Sequence, residues 1–279
     1  MLLSPLQTLK NTILEVRQAW LFGDNLRSRL RLASDFILYR VLKAIDLKSR
    51  NVERTIQCSG GIVLTYRLNR GDIQSIREVW FDETYRLPFT IKPKLVIDLG
   101  TNIGLTTVWL SQRYGCEKII AVEPDLNNAL LAEKNIKDNG INGYVIRAAI
   151  GASDGVATFE TSGDSNLGRV VASNDLKVGE QVRMISMSTL LNDLPKNQII
   201  DLVKMDIEGG EQQLLSGDLF WLSRTKAMIA EFHPDLVDYT ALVDRVVEHG
   251  FDYIPHDTVY PIHADAFLSK ALGTGELEN

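Results

Sequence analysis

Two acidic constellations and one histidine set the chemistry open to this chain. Asp206-Ile207-Glu208-Gly209-Gly210-Glu211 places three carboxylates where the apolar run Leu202-Val203 gives way to a helical pattern. Asp206 and Glu208 alternate to one side of an extended tip. Glu211 falls in the first helical turn, where an acid also complements the helix dipole. Further on, Met228-Ile229-Ala230-Glu231-Phe232-His233 ends another apolar run with Glu231 and His233 on a common side. A neutral imidazole at a strand tip can take a proton from a hydroxyl, and His233 is the candidate base, with Asp206 or Glu208 as the competing choice. The same acids with His233 could hold a divalent cation, but their spacing matches no strong metal signature and none is expected. The other histidines, His249, His256 and His263, are scattered.

The ligand is read from a third stretch, Val96-Ile97-Asp98-Leu99-Gly100-Thr101-Asn102-Ile103-Gly104. An apolar run enters a turn with two glycines and a helical pattern leaves it, so helix amides point at whatever the turn holds. Ile119-Ile120-Ala121-Val122-Glu123 follows as a second apolar run ending in an acid. A glycine turn after one strand and a carboxylate at the tip of the next is how a doubly wound sheet holds an adenosine ribose. Dinucleotide sites favour G-x-G-x-x-G, whereas this turn reads G-x-N-x-G behind Asp98. A carboxylate pointing into the site would repel a diphosphate and attract an ammonium or sulfonium group. S-adenosylmethionine is therefore expected, and a nicotinamide-dependent oxidoreductase is the rival.

These residues need a scaffold of alternating strands and helices. Strands are expected at about 95–100, 118–123, 144–150, 202–207, 227–232 and 251–255. Helices fall at about 104–114, 126–139, 209–222 and 236–249. The stretch 151–187, with Gly151, Asp154-Gly155, Gly163, Gly168 and Gly179, reads as a β-hairpin excursion with a polar loop beside the crevice. Upstream, residues 5–47 read as two helices broken at Phe22-Gly23-Asp24-Asn25, 54–70 as a hairpin about Ser59-Gly60-Gly61, and 72–86 as a helix. The division expected is an N-terminal helical and hairpin extension, 1–75, before the main domain, 76–279. The tail after about residue 268 is expected to be loose.

The 279 residues carry a net charge of −6, which argues against a general nucleic-acid binder. Residues 1–54 hold ten Lys/Arg and five Asp/Glu, a local +5, leaving −11 on the rest. Arg27, Arg29, Arg31, Arg40 and Lys43 give the second helix a basic face, compatible with a weak contact to an anionic membrane surface or with plain solvation. Cys58 and Cys116 form no metal spacing and fit a reducing cytoplasm. The start, Met1-Leu2-Leu3-Ser4-Pro5-Leu6, is too short an apolar run for a secretory signal and lacks a basic front.

With those residues in place the chain resembles the FkbM family of S-adenosylmethionine-dependent methyltransferases over about residues 76–256. The resemblance rests on the Asp98–Gly104 turn, Ala121-Val122-Glu123-Pro124, Ala148-Ala149-Ile150-Gly151 and, most specifically, the D-x-E-G-x-E pattern at Asp206–Glu211. It implies a class I methyltransferase fold: an α/β, Rossmann-like, doubly wound, mostly parallel seven-stranded sheet with its seventh strand antiparallel. It further implies O-methylation of a sugar, glycan or natural-product hydroxyl. By position, Asp98, Gly100, Asn102 and Gly104 would line the methionine end of the cofactor. Glu123 would hold the ribose, Ala149 and Ile150 would lie near the adenine, and Asp206 and Glu208 would border the methyl group and acceptor. A nucleic-acid N-methyltransferase would need an Asn/Asp-Pro-Pro-aromatic motif where Asp206-Ile207-Glu208-Gly209 stands. A pseudoenzyme that binds cofactor without turnover is the non-catalytic rival.

Overall fold

The computed structural model describes residues 5–44, 52–160, 169–171, 179–254 and 264–273. Two helices, α1 (Pro5–Phe22) and α2 (Leu26–Ala44), pack on a hairpin, β1 (Glu53–Cys58) and β2 (Ile62–Arg67). Helix α3 (Arg70–Ile76) follows, capped by the Asn69 side chain, and runs into one π-helical turn, Arg77–Phe81. Then come β3 (Leu95–Leu99), α4 (Leu105–Tyr114), β4 (Lys118–Val122), α5 (Leu126–Asp138) and β5 (Gly143–Ile146). A side excursion holds β6 (Ala149–Gly151), β7 (Gly155–Glu160), β8 (Arg169–Val171), β9 (Glu180–Ser186) and the single turn α6 (Met187–Leu190). The chain returns through β10 (Ile200–Met205), α7 (Glu211–Ser216), β11 (Thr225–Glu231), α8 (Tyr239–Glu248), β12 (Phe251–Ile254) and β13 (Ala264–Ser269).

Seven strands form the main sheet in the order β12-β13-β11-β10-β3-β4-β5. All pairings are parallel except those of β13, which is antiparallel to both neighbours. Every residue of β3 and β10 is buried, because helices cover both faces of a parallel sheet. Side-chain alternation feeds two cores. Val96, Leu202 and Ile229 join one on one face; Ile97, Val203 and Met228 join the other. The first core also contains Leu32, Phe36, Ile56 and Tyr66, so the N-terminal helices and hairpin share it with the sheet. The chain runs β3, β4, β5 to one side and comes back to β10 on the other. The switch point thus lies between β3 and β10, where a crevice opens outside the strand carboxyl ends.

Four differences from the expected elements have local causes. The strand expected at 144–150 divides. Edge strand β5 is only half buried, whereas Ala148 and Ile150 are buried in the second core and Ala149 in a small cluster with Phe159, so Ala149–Gly151 joins the excursion's own sheet, β6-β9-β7-β8. Helix α7 stops at Gly217 rather than near 222, where a side chain would meet Ala152 Cα at 2.9 Å. The helix expected over 72–86 ends at Asp82. Strand β13 occupies a stretch given no element; the structure describes the tail through a turn as far as Gly273, and residues 274–279 lie outside the described residues. Gly163, Gly168, His256, His263 and residues 45–47 fall outside the described residues.

One support of the hairpin comes from helix side chains. Asn135 accepts from Thr65 N (2.7 Å) and donates to Thr65 O and Ile103 O; Asn139 accepts from Val63 N and donates to Val63 O. The side-chain amides of Asn135 in α5 and of Asn139 at its C-terminal cap act as a surrogate strand along β2, which accounts for a fully buried Asn135.

Candidate active site

A cavity of about 300 Å³ opens at the switch point. Its floor is the loop after β3. Gly100 has φ 76°, and a Cβ there would lie 1.8 Å from the Asp206 carbonyl oxygen. Only glycine lets the loop after β3 cross against the tip of β10 this closely. Gly104, at φ 81°, starts α4 against Ala132, 2.9 Å from where its Cβ would sit. Asn102 is held at φ 51° and donates its amide to Glu123 Oε2 at 2.9 Å.

Glu123 stands at the tip of β4, 5% exposed, and its other oxygen accepts from Asp125 N at 2.9 Å. Burial pushes its carboxyl up to about 7, against the lowering effect of the two backbone amides. Each oxygen retains acceptor capacity toward the cavity, the arrangement two vicinal hydroxyls require. Asn102 Oδ1 is buried without a hydrogen-bond partner. Ala148, Ala149, Ile150 and Phe159 give the cavity an apolar wall.

Asp98 and Gly104 do not line the cavity as expected. Asp98 is wholly buried beneath the loop. Its Oδ2 accepts from Thr101 (2.8 Å) and Thr107 (2.6 Å), and Lys204 Nζ lies 3.3 Å from Oδ1. Lys204 also donates to Gly100 O at 2.7 Å and lies 5.0 Å from the Tyr85 ring centre. Burial pulls the Lys204 ammonium down in pKa, but Asp98 and then Asp206 more than reverse it. Asp98 is thus a strut that fixes the loop by way of a buried ion pair, and its charge is spent on Lys204. Glu78, Asp206, Glu208 and Glu231 do line the cavity, and in their ionised forms they would repel a diphosphate. The lining cations, Lys204 and His233, both already face carboxylates.

The other end of the cavity gathers Asp206, Glu208, Glu231, His233 and Tyr85. Glu208 adopts φ 52°, a left-handed backbone that turns its side chain off the strand line. His233 Nδ1 lies 3.1 Å from Glu211 Oε1; Nε2 lies 3.3 Å from Glu208 Oε2 and 3.8 Å from Asp206 Oδ1. Burial lowers the imidazole's pKa, but the Glu211 hydrogen bond and the charges of Asp206, Glu211 and Glu208 overcome it and raise it to about 10. Both ring nitrogens face carboxylate oxygens, and Nδ1 is hydrogen-bonded to Glu211. The neutral imidazole base expected at His233 is therefore corrected to an imidazolium in this metal-free arrangement.

Tyr85 Oη lies 2.7 Å from Asp206 Oδ2 and 3.1 Å from Glu231 Oε2. One hydroxyl proton cannot serve both oxygens. Burial, then the charges of Asp206 and Glu78, raises Glu231 to about 8, so its carboxyl carries the second proton at neutral pH. Burial followed by Asp206 raises Glu208 to about 8 as well. Tyr85 and Glu78 went unseen in the sequence. They come from the segment after α3, and no spacing rule ties that segment to a crevice formed by β3, β10 and β11.

Strand order, an antiparallel β13 and a ligand crevice at the β3/β10 switch point define a class I methyltransferase fold. The model of the methyltransferase FkbM domain matches residues 98–256, more than half of the chain, and the chain belongs to that family. Its cofactor is S-adenosylmethionine. A curated relative from Beauveria bassiana (strain ARSEF 2860), named Methyltransferase 1, is 24% identical over 161 residues, 50% of this chain and 65% of the relative. The chain thus spans less than two thirds of that relative's length. Among solved structures, the METTL16 methyltransferase domain aligns at 13% identity, covering 95% of this chain and 92% of its own, with a TM-score of 0.43. TrmK from M. capricolum, in complex with S-adenosylhomocysteine, aligns at 14% identity over 63% of this chain and 62% of its own, with a TM-score of 0.36.

The cavity fits that cofactor. Glu123 offers a carboxylate for the ribose, the Ala148–Ile150 wall an apolar face for the adenine, and the unpartnered Asn102 Oδ1 an acceptor near the glycine loop. The acid-lined end suits a cation. Among the described residues no helix is long and apolar enough to cross a membrane.

Proposed function

We propose that this chain is an O-methyltransferase acting on a hydroxyl of a sugar, glycan or natural product. The observation that carries the reading is the joining, in one cavity, of a ribose-binding acid at Glu123 and a carboxylate-rich far end at Asp206, Glu208 and Glu231. S-adenosylmethionine, when bound, supplies a methyl carbon already activated on a sulfonium. The chain's own task is positioning and proton removal.

Gly100, Asn102 and Glu123 hold one end of the cavity open and oriented. Asp206 and Glu208 favour a cation in the ground state, which tightens binding but does not by itself speed a step in which that charge disappears. The proton of the acceptor hydroxyl goes to Glu208 in its ionised form, which burial and the Asp206 charge confine to pH above about 8. This residue lines the cavity and has acceptor-only oxygens when ionised, whereas both nitrogens of His233 are already directed at carboxylates. His233 and Tyr85 act as positioning residues that fix Glu208 and Asp206. Among the described residues, the cavity lining holds no cation without a carboxylate partner, which supports a neutral, hydroxylated acceptor over a phosphorylated one or a nucleic acid.

The test is an acceptor screen that reads S-adenosylhomocysteine release together with product mass and the site of the new methyl group. The reading expects release that depends on a hydroxylated acceptor and an ether methyl in the product. Glu208→Gln should lower kcat roughly 10²- to 10⁴-fold with little change in cofactor Kd. Methylation on nitrogen, or full turnover by Glu208→Gln, would sink it.

A further inference from the structure

We infer that Asp206, Glu211 and His233 form a binding site for a single divalent cation of the Mn²⁺ or Zn²⁺ class at the acceptor end of the cavity. One donor atom from each of the three lies within 4.8 Å of the other two. Two neighbouring ligands on an ion at about 2.1 Å stand roughly 3 Å apart; His233 Nδ1 and Glu211 Oε1 are separated by 3.1 Å. Two carboxylates with one imidazole suit a borderline divalent ion rather than a purely oxygen-seeking one.

A second, independent observation points to an ion. Glu211 is completely buried, yet its Oε2 meets no hydrogen-bond donor. A carboxylate oxygen sealed from water with nothing donating to it needs a positive partner. Its other oxygen is fixed by Ile207 N at 3.2 Å, so the side chain is held in place beforehand. Asp206 and His233 line the cavity, which gives the ion an entry path and leaves positions for an incoming oxygen. Binding would displace the protons that hold this cluster together in the metal-free arrangement.

The role of the ion rests on the methyltransferase reading, although its binding does not. An acceptor hydroxyl on the ion would be acidified: its O–H bond would break with the proton passing to ionised Glu208, the oxygen's electron pair would form the new bond to the methyl carbon, and the methyl C–S bond would break with its pair returning to sulfur, leaving S-adenosylhomocysteine.

The experiment titrates Mn²⁺ into the full chain after chelator treatment. Free ion is read by electron paramagnetic resonance, Zn²⁺ serves as competitor, and S-adenosylhomocysteine binding is measured on the same samples. One Mn²⁺ per chain is expected, displaced by Zn²⁺. Glu211→Gln should weaken it at least tenfold while S-adenosylhomocysteine still binds, which shows the variant folded. A wild-type chain that binds S-adenosylhomocysteine but neither ion stoichiometrically overturns the inference. So does unchanged Mn²⁺ affinity in a folded Glu211→Gln variant. Stoichiometric Mn²⁺ without any S-adenosylhomocysteine binding would support the ion site and strike the methyltransferase reading instead.

Discussion

At Gly100 a single methyl group would sit 1.8 Å from the Asp206 carbonyl oxygen, so the two halves of the site are locked by one missing side chain. Gly100→Ala should either unfold the loop or separate it from β10, at a cost of roughly 1–3 kcal/mol for the forced positive φ alone. Urea unfolding and S-adenosylhomocysteine titration would both register it; wild-type values in both would contradict the packing. Lys204 is 1% exposed and faces Asp98 at 3.3 Å. Lys204→Met leaves an unpaired buried carboxylate and should destabilise the chain by about 3–5 kcal/mol; a loss under 1 kcal/mol on chemical denaturation would argue against the ion pair. Glu123 carries the pH dependence of cofactor binding. Its folded carboxyl titrates near 7 against an ordinary 4.5, so ionising it costs stability between those values, and above 7 it is the acceptor the ribose needs. Affinity for S-adenosylhomocysteine should therefore fall as pH drops through about 7, and Glu123→Gln should flatten that profile. A profile unchanged by the substitution would remove Glu123 from the site.

Between residues and fold lies the contact of helix α5 with hairpin β1–β2. Asn135 satisfies both backbone groups of Thr65 and the carbonyl of Ile103. Asn135→Ala strands these groups in the core and should cost about 2–3 kcal/mol. Asn139→Ala, at a half-exposed position, should cost less; equal small losses for both would mean that water replaces these amides. The strands of the main sheet were legible because runs such as Leu95–Leu99 and Ile200–Met205 are apolar on both faces and bounded by turn residues. The surrogate strand was not, because an Asn inside an amphipathic helix looks like any polar surface residue. Strand β13 was missed since Ala264-Asp265-Ala266-Phe267 is short and carries an acid, Asp265, which is 3% exposed and accepts from Tyr239 and Tyr253 only once the fold is formed.

At the scale of the whole molecule, Ala19, Leu32 and Phe36 of the N-terminal helices sit in the same core as Val96 and Leu202 of the main sheet. Three of the basic residues on α2 are engaged within the chain: Arg29 donates to Gly23 O, Arg31 to Thr55 O and Arg40 to Glu15. Removal of residues 1–47 should expose that core and lower the melting temperature by many degrees; an unchanged melting curve would show the helices to be detachable. The site was readable wherever chemistry follows strand tips, as for Glu123, Asp206, Glu208 and His233. It is not readable where charge is set by partners: Asp98 lies beneath the loop against Lys204, and carboxylates on both sides raise the pKa of His233. The central claim is that the cavity holds S-adenosylmethionine through Glu123. Calorimetric titration with S-adenosylmethionine, S-adenosylhomocysteine and NAD, with Glu123→Ala as control, tests it most directly. The account predicts binding of the two methionine-derived ligands, no binding of NAD, and roughly 10- to 150-fold weaker binding in the variant, the loss of about 1.5–3 kcal/mol expected for a charged hydrogen bond. Binding of NAD alone, or full affinity in Glu123→Ala, would contradict it.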